Sequence, residues 1–160
     1  MGKDEPHYVP LIGYDTDYVG RSPWDFYSWG HIDMGIAAFS LLSLIITISE
    51  WIWGPGNALI DWWVIMVIVL IYALVWEFVE NVILWRLGWK FEDRRDSWPN
   101  FIWDVIFVML GGAVMWLFKW LIMDLSGQLG RYFYITAAIS FGIVLLGYFI
   151  GYIGTYKKKK

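Results

Sequence analysis

Four stretches of this sequence, approximately His31–Trp53, Leu59–Trp85, Asn100–Met123 and Tyr132–Tyr152, are almost wholly apolar. Each is about 20 residues or longer, enough for a helix to cross the roughly 30 Å of hydrocarbon in a bilayer. No water is available there, so each span must satisfy its own backbone polar groups, and runs of this length do so as helices. Composition agrees. Of 160 residues 59% are hydrophobic, and 13 Trp, 10 Tyr and 10 Phe supply the aromatic rings that gather at both membrane–water interfaces. The expected fold is all-α, a polytopic membrane protein built as a four-transmembrane-helix bundle.

Helix punctuation falls between the spans. "SPWD" offers Ser22 as an N-cap with Pro23 in the first turn. "GPGN" at 54–57 ends one helix, and Asn57 is placed to cap the next. "SWPN" at 97–100 repeats the pattern of a capping Ser and an early Pro, and "SGQLG" at 126–130 breaks the chain before the last span. The domains expected are an arm over residues 1–30, a transmembrane domain over 31–156 and a basic tail over 157–160. The arm mixes acids with prolines and lacks a basic-then-apolar signal pattern, so it reads as a cytosolic or interfacial segment.

Four crossings put both ends of the chain on one side, side A, together with the Arg86–Pro99 loop. Ten of the twelve basic residues fall there: Lys3, Arg21, Arg86, Lys90, Arg94, Arg95 and Lys157 to Lys160. Only Lys119 and Arg131 lie near side B. The positive-inside rule then makes side A cytoplasmic, with both termini cytoplasmic. The net charge of −3 gives no reason to expect nucleic acid as a partner, and the absence of cysteine excludes disulfides and thiolate metal sites.

Against this apolar background the acids stand out. Glu77, Glu80 and Asn81 are spaced i, i+3, i+4 and so share one helix face; Asn100 and Asp104 are i, i+4, with Gly111 continuing their stripe. Glu80 lies roughly 9 Å before Arg86 and Asp104 about as far beyond Trp98, so the two acids sit at matching depth. His31 opens the first span on the same side, above the small residues Gly35 and Ala38. Carboxylates are costly in a bilayer and mark a functional site by default.

The expected site therefore has Glu77, Glu80 and Asp104 in catalytic roles. Arg94, Arg95 and Asn100 would hold the substrate, the arginines gripping a lipid phosphate. His31, Glu80 and Asp104 would hold one divalent cation. Asn81, Asp96 and Gly111 would support them. A donor set of carboxylates and one imidazole suits Mg²⁺, Mn²⁺ or Zn²⁺. Glu-x-x-Glu is not the Glu-x-x-His spacing of di-iron bundles, and the other histidine, His7, lies in the arm. The same acids could instead pair with Arg86, Arg94 and Arg95 as a structural brace.

The order of these residues resembles that of small bacterial inner-membrane proteins allied to the VanZ-like group. The residues that carry the resemblance are Ser28, His31 and Gly35; Trp76, Glu77, Glu80 and Asn81; then Asp96, Ser97, Asn100, Asp104, Gly111 and Gly112. They cover about the middle half of the chain. The resemblance implies a small polytopic fold with an intramembrane acidic motif, and hints at cell-envelope or lipid-linked chemistry.

Two functions follow as expectations. One is an enzyme acting on a lipid or lipid-linked envelope substrate at the cytoplasmic leaflet. The alternative is a non-catalytic accessory subunit of a larger membrane complex, with membrane-protein partners or further copies of itself and the acids as a brace. A proton pathway is weaker, because Ser40, Ser43 and Thr47 are a thin continuation across the membrane.

Outside the site, Ser140, Gly147, Gly151 and Gly154 form a small-residue face expected to pack inside the bundle. Tyr148, Tyr152 and Tyr156 make a stripe read as an interfacial anchor. Glu50 and Asp61 flank the side B turn, and Lys119 is expected to snorkel to side B. Asp33 points away from His31 and is left outside the site. The lysine tail either sets topology or attracts anionic lipids.

Overall fold

The computed structural model describes residues 9–90, 93–127 and 130–157. His7, Lys3 and the tail lysines Lys158 to Lys160 lie outside the described residues, as does the side chain of Tyr156. The described chain is helical, with α1 at Tyr27–Trp53, α2 at Trp62–Phe78, α3 at Trp98–Lys119 and α4 at Gly130–Lys157. Among the described residues there is no strand, only one isolated bridge between Ile12 and Trp24. Two helices continue into π-helical turns, α2 through Val79–Leu84 and α3 through Trp120–Leu125. Four segments are long and apolar enough to cross a membrane: Phe26–Trp53, Trp62–Leu84, Trp98–Leu125 and Gly130–Thr155.

One of the expected caps is in place and two are not. Ser97 caps α3, its Oγ accepting from the Asn100 N–H at 3.3 Å, with Pro99 in the first turn. Ser22 does not cap α1, which begins only at Tyr27; Asp25 intervenes, accepting from the N–H groups of Gly20 and Tyr27 at 2.8 Å each. Asn57 likewise serves the helix before it, donating to the Trp53 and Gly54 carbonyls, while Asp61 stands at the N-cap of α2. Asn57 thus found a nearer backbone partner than the one expected, whereas Ser22 Oγ is buried with no hydrogen-bond partner among the described residues. Glu50 accepts from the Gly56 N–H at 3.3 Å and steadies the same turn.

Helix α1 touches each of the other three, most widely α3. Two glycines make that contact. A Cβ on Gly35 would lie 2.9 Å from the Val108 carbonyl carbon and 2.9 Å from the Gly112 nitrogen. One on Gly111 would lie 3.0 Å from both the Ile32 carbonyl carbon and the Ile36 nitrogen. The two backbones therefore meet directly, as small residues allow in membrane helices. Phe39, Ile46, Ile65, Val69, Val108, Met115 and Phe133 fill the core beyond this crossing. Gly147 of α4 packs on the Trp29 ring and Gly151 on Phe26, as expected of that face, whereas Gly154 has open space around it. Tyr148 and Tyr152 lie against Phe26, so the tyrosine stripe is partly turned inward.

Lys119 departs from expectation. It is buried, its Nζ 2.7 Å from Asp124 and 4.5 Å from the centre of the Trp62 ring. An acid five residues on gives the ammonium a partner without its reaching for water.

The arm is folded over the side A end. Leu11 and Gly13 pair with Trp24 through backbone hydrogen bonds, and Val19 is buried. Arg94 donates to the carbonyls of Thr16 and Val19, Ser97 to that of Arg21, and Asn100 to that of Ser22 at 2.9 Å. Gly20 adopts φ +71°, where its N–H reaches Asp25 and a side chain would run into Asp96.

Candidate functional site

Beneath the arm, α1, α2 and α3 bring together the residues that the sequence separates. His31 stands one turn before the Gly35 crossing, Glu77 at the end of the α-helical part of α2, and Asp104 two turns into α3. All three are buried, with Glu77 only 1% exposed. The imidazole lies between the two acids: Nδ1 is 3.8 Å from Glu77 Oε1, and Nε2 is 3.6 Å from Asp104 Oδ2. Those separations are too long for hydrogen bonds. Among the described residues, His31 Nδ1, Glu77 Oε1 and Asp104 Oδ1 have no hydrogen-bond partner. Buried polar atoms are nearly always paired, so three orphans at one place call for an explanation.

A second layer is fully engaged. Lys90 Nζ donates to Asn81 Oδ1 at 2.9 Å and to Asp96, and lies 3.5 Å from Glu80 Oε1. Asn81 accepts from the Asp96 N–H as well, at 2.8 Å, and its amide donates to the Glu77 carboxylate at 3.2 Å. Burial raises the Asp96 pKa, and the Lys90 ammonium opposes that rise. Lys90 was not singled out by sequence reasoning. It sits beyond a turn, off every helical stripe, and only the folding back of the loop brings it to the acids.

The π-helical turn separates the roles of the two glutamates. An α-helix would put Glu77, Glu80 and Asn81 on one face; here Val79–Leu84 is wound more loosely. Glu77 faces His31, while Glu80 turns to Lys90. Such turns recur at functional sites because they re-aim side chains within a helix.

Two groups of three donors approach closely enough to hold a metal ion: His31, Glu77 and Glu80, and Glu77, Asp96 and Asp104, each with ligand atoms within 4.8 Å of one another. The expected set of His31, Glu80 and Asp104 is neither of these. Glu77, expected in a catalytic role, belongs to both. Ligands about 2.0–2.2 Å from a cation are themselves about 3–4 Å apart. The separations of 3.6 and 3.8 Å around His31 are of that size.

Of the two arginines, Arg94 borders the small cavity that His31, Asp96 and Asp104 also line, whereas Arg95 lies outside it. Arg94 holds the arm, and Arg95 stacks on the Trp85 ring with its guanidinium carbon 4.0 Å from the centroid. With Arg21, Ser97 and Pro99 they line a cavity of about 460 Å³ next to Asp96. Asn100 is buried and spends its amide on Ser22, so it supports the arm. Gly111 fixes the α1–α3 crossing that sets the distance from His31 to Asp104. Asp25, unremarked in the sequence, and Ser28, noted there only for the resemblance, are buried here and bonded to each other, the Asp25 N–H donating to Ser28 Oγ at 3.1 Å.

Compared with protein-family models, with curated proteins and with solved structures, the chain matches none.

Proposed function

We propose that this chain is an integral membrane enzyme of a bacterial or archaeal cytoplasmic membrane, with both termini cytoplasmic, whose buried acid–histidine site holds one divalent cation. Its substrate is a lipid or lipid-linked envelope component, and the VanZ-like resemblance of the motif points the same way. The observation that carries the reading is the set of unsatisfied buried atoms on His31, Glu77 and Asp104. An ion among them would offset the cost of leaving carboxylates unpaired in a low-dielectric interior. Glu77, His31 and Glu80 are the ligands best placed for it, and Asp104 is left to accept or return a proton at the far side of the imidazole. The arginine-lined cavity beside Asp96 suits the phosphate of a headgroup.

Elemental analysis of the protein purified in mild detergent tests this. Near-stoichiometric Mg, Mn or Zn is expected, lost in Glu77→Gln and His31→Ala and retained in Glu50→Gln at the opposite end. A metal-free wild-type protein that had met no chelator would sink the proposal.

A second reading is favoured by the engaged layer. Lys90 ties Asn81, Glu80 and Asp96 together, and Arg94 and Asn100 fasten the arm, which is what a structural brace in an accessory subunit would need. Co-purification with a partner at fixed stoichiometry, from a protein that holds no metal, would establish that reading instead.

A further inference from the structure

Helices α2 and α4 touch through the Trp62 and Phe133 rings at the side B end and diverge from there, each packing on α1. They leave a slot of about 600 Å³ over the outer face of α1. Small residues form its floor, Gly30, Ala37 and Ala38, and Ile68, Phe141 and Leu145 line its walls. In a membrane this slot opens sideways onto the lipid chains. Its size is that of an ordinary small-molecule site, and its walls are apolar.

One residue does not fit such a lining. Asp33 borders the slot, is only 4% exposed, and neither of its carboxylate oxygens has a hydrogen-bond partner among the described residues. A buried carboxyl with no donor on either oxygen is costly, and in a membrane span it marks a site. The surroundings determine the kind of donor. The slot shares Gly30, Met34 and Tyr148 with a smaller pocket that contains Glu80, His31 and Lys90. Lys90 is already committed to Glu80 and Asp96. Among the described residues no cation pairs with Asp33. An alcohol would bring one donor and no charge. An ammonium brings three donors and the opposite charge.

We propose that the slot between α2 and α4 binds an amine-bearing amphiphile, with its hydrocarbon chain along Ala37, Ala38 and Leu41 and its ammonium on the Asp33 carboxylate. This site is separate from the one built on Glu77 and Asp104 and stands whether or not that one holds a metal.

The test uses the full chain in phosphatidylcholine nanodiscs and counts retained ligand by native mass spectrometry, with empty nanodiscs as background. Dodecylammonium is expected to be retained at one per protein, about tenfold or more in preference to dodecanol, the range for a hydrogen bond to a charged partner. Asp33→Asn should lower dodecylammonium to the level of dodecanol, and Ala38→Phe, which fills the slot, should abolish retention of both. Equal retention of amine and alcohol by the wild-type protein would overturn the proposal and leave the slot a seat for neutral chains. Retention of neither ligand would overturn it too, as would amine binding unchanged in Asp33→Asn. The wild-type comparison decides the matter even where a variant does not fold.

Discussion

Gly35→Ala is the substitution whose cost is best defined by the geometry. Taken alone, replacing a mid-helix glycine by alanine stabilises a helix by roughly 0.5–1 kcal/mol. At Gly35 the new methyl carbon would sit 2.9 Å from both the Val108 carbonyl carbon and the Gly112 nitrogen, and nearer still to the Val108 oxygen. Ordinary contact begins at 3.4 Å, so the backbones of α1 and α3 must part by about 1–1.5 Å to clear that oxygen. No side chain can move aside to relieve this, because the obstacles are main-chain atoms on a packed helix. Overpacking of this kind costs about 1–3 kcal/mol, and the loss of neighbouring contacts at the crossing adds to it. After subtracting the helix gain, a net loss of about 1–2 kcal/mol remains, or roughly 2–8 °C in Tm for a chain of this length. Gly142→Ala is the matched control, since nothing lies within 4 Å of its added carbon, and it should leave Tm unchanged or slightly raised. Thermal unfolding followed by circular dichroism in one mild detergent compares the three proteins. A Gly35→Ala protein as stable as wild type would refute the claim that the two backbones meet there.

Lys90→Met should destabilise by up to about 3–5 kcal/mol, because it leaves Glu80 and Asp96 buried without their cation; limited proteolysis of the α2–α3 loop should speed up accordingly. Ser97→Ala removes both the α3 N-cap and the bond to the Arg21 carbonyl, at a cost of about 1–2 kcal/mol, which a Tm measurement would register. Burial raises the Asp25 pKa from 3.8 to about 6, outweighing the backbone donors that lower it. The folded state therefore holds a proton that the unfolded chain releases between about pH 4 and pH 6. Stability should fall by up to about 3 kcal/mol as pH rises through that window and then level off. Asp25→Asn should flatten this slope in unfolding curves recorded from pH 4 to pH 7, and a slope that survived would assign it to another group.

The spans could be read from the sequence because hydrophobicity is additive along a chain and needs no partner. The convergence of His31, Glu77 and Asp104 could be read too, since depth in a helix follows from rise per residue and the crossing glycines follow from size. What stayed hidden depends on contacts that no period encodes. Lys90 reaches Asp96 around a turn. Ser22 gave its carbonyl to Asn100, 78 residues away, and left the start of α1 to Asp25. The π-helical turn brought Glu80 to Lys90 while leaving it within reach of Glu77 and His31, and nothing in "VENVIL" signals a change of winding. Asp33 was set aside because its direction differs from that of His31; the gap between α2 and α4 that gives it meaning is a property of packing alone.

The fastening of the arm has a consequence for the order in which the protein is made. Val19 and Ser22 wait for Arg94 and Asn100, residues synthesised 75 and 78 positions later. When α1 and α2 are complete, His31 and Glu77 have neither Asp104 nor a closed arm over them, and water can reach both. Asp104 enters with α3 in the same stretch of chain that supplies Ser97 and Asn100, the groups that pin the arm. Closure of the site is thus the act of the second helical hairpin, and the acids lose their water only when their neighbours have arrived. An ion could be taken up from the open half-site during synthesis and enclosed by the rest of the chain.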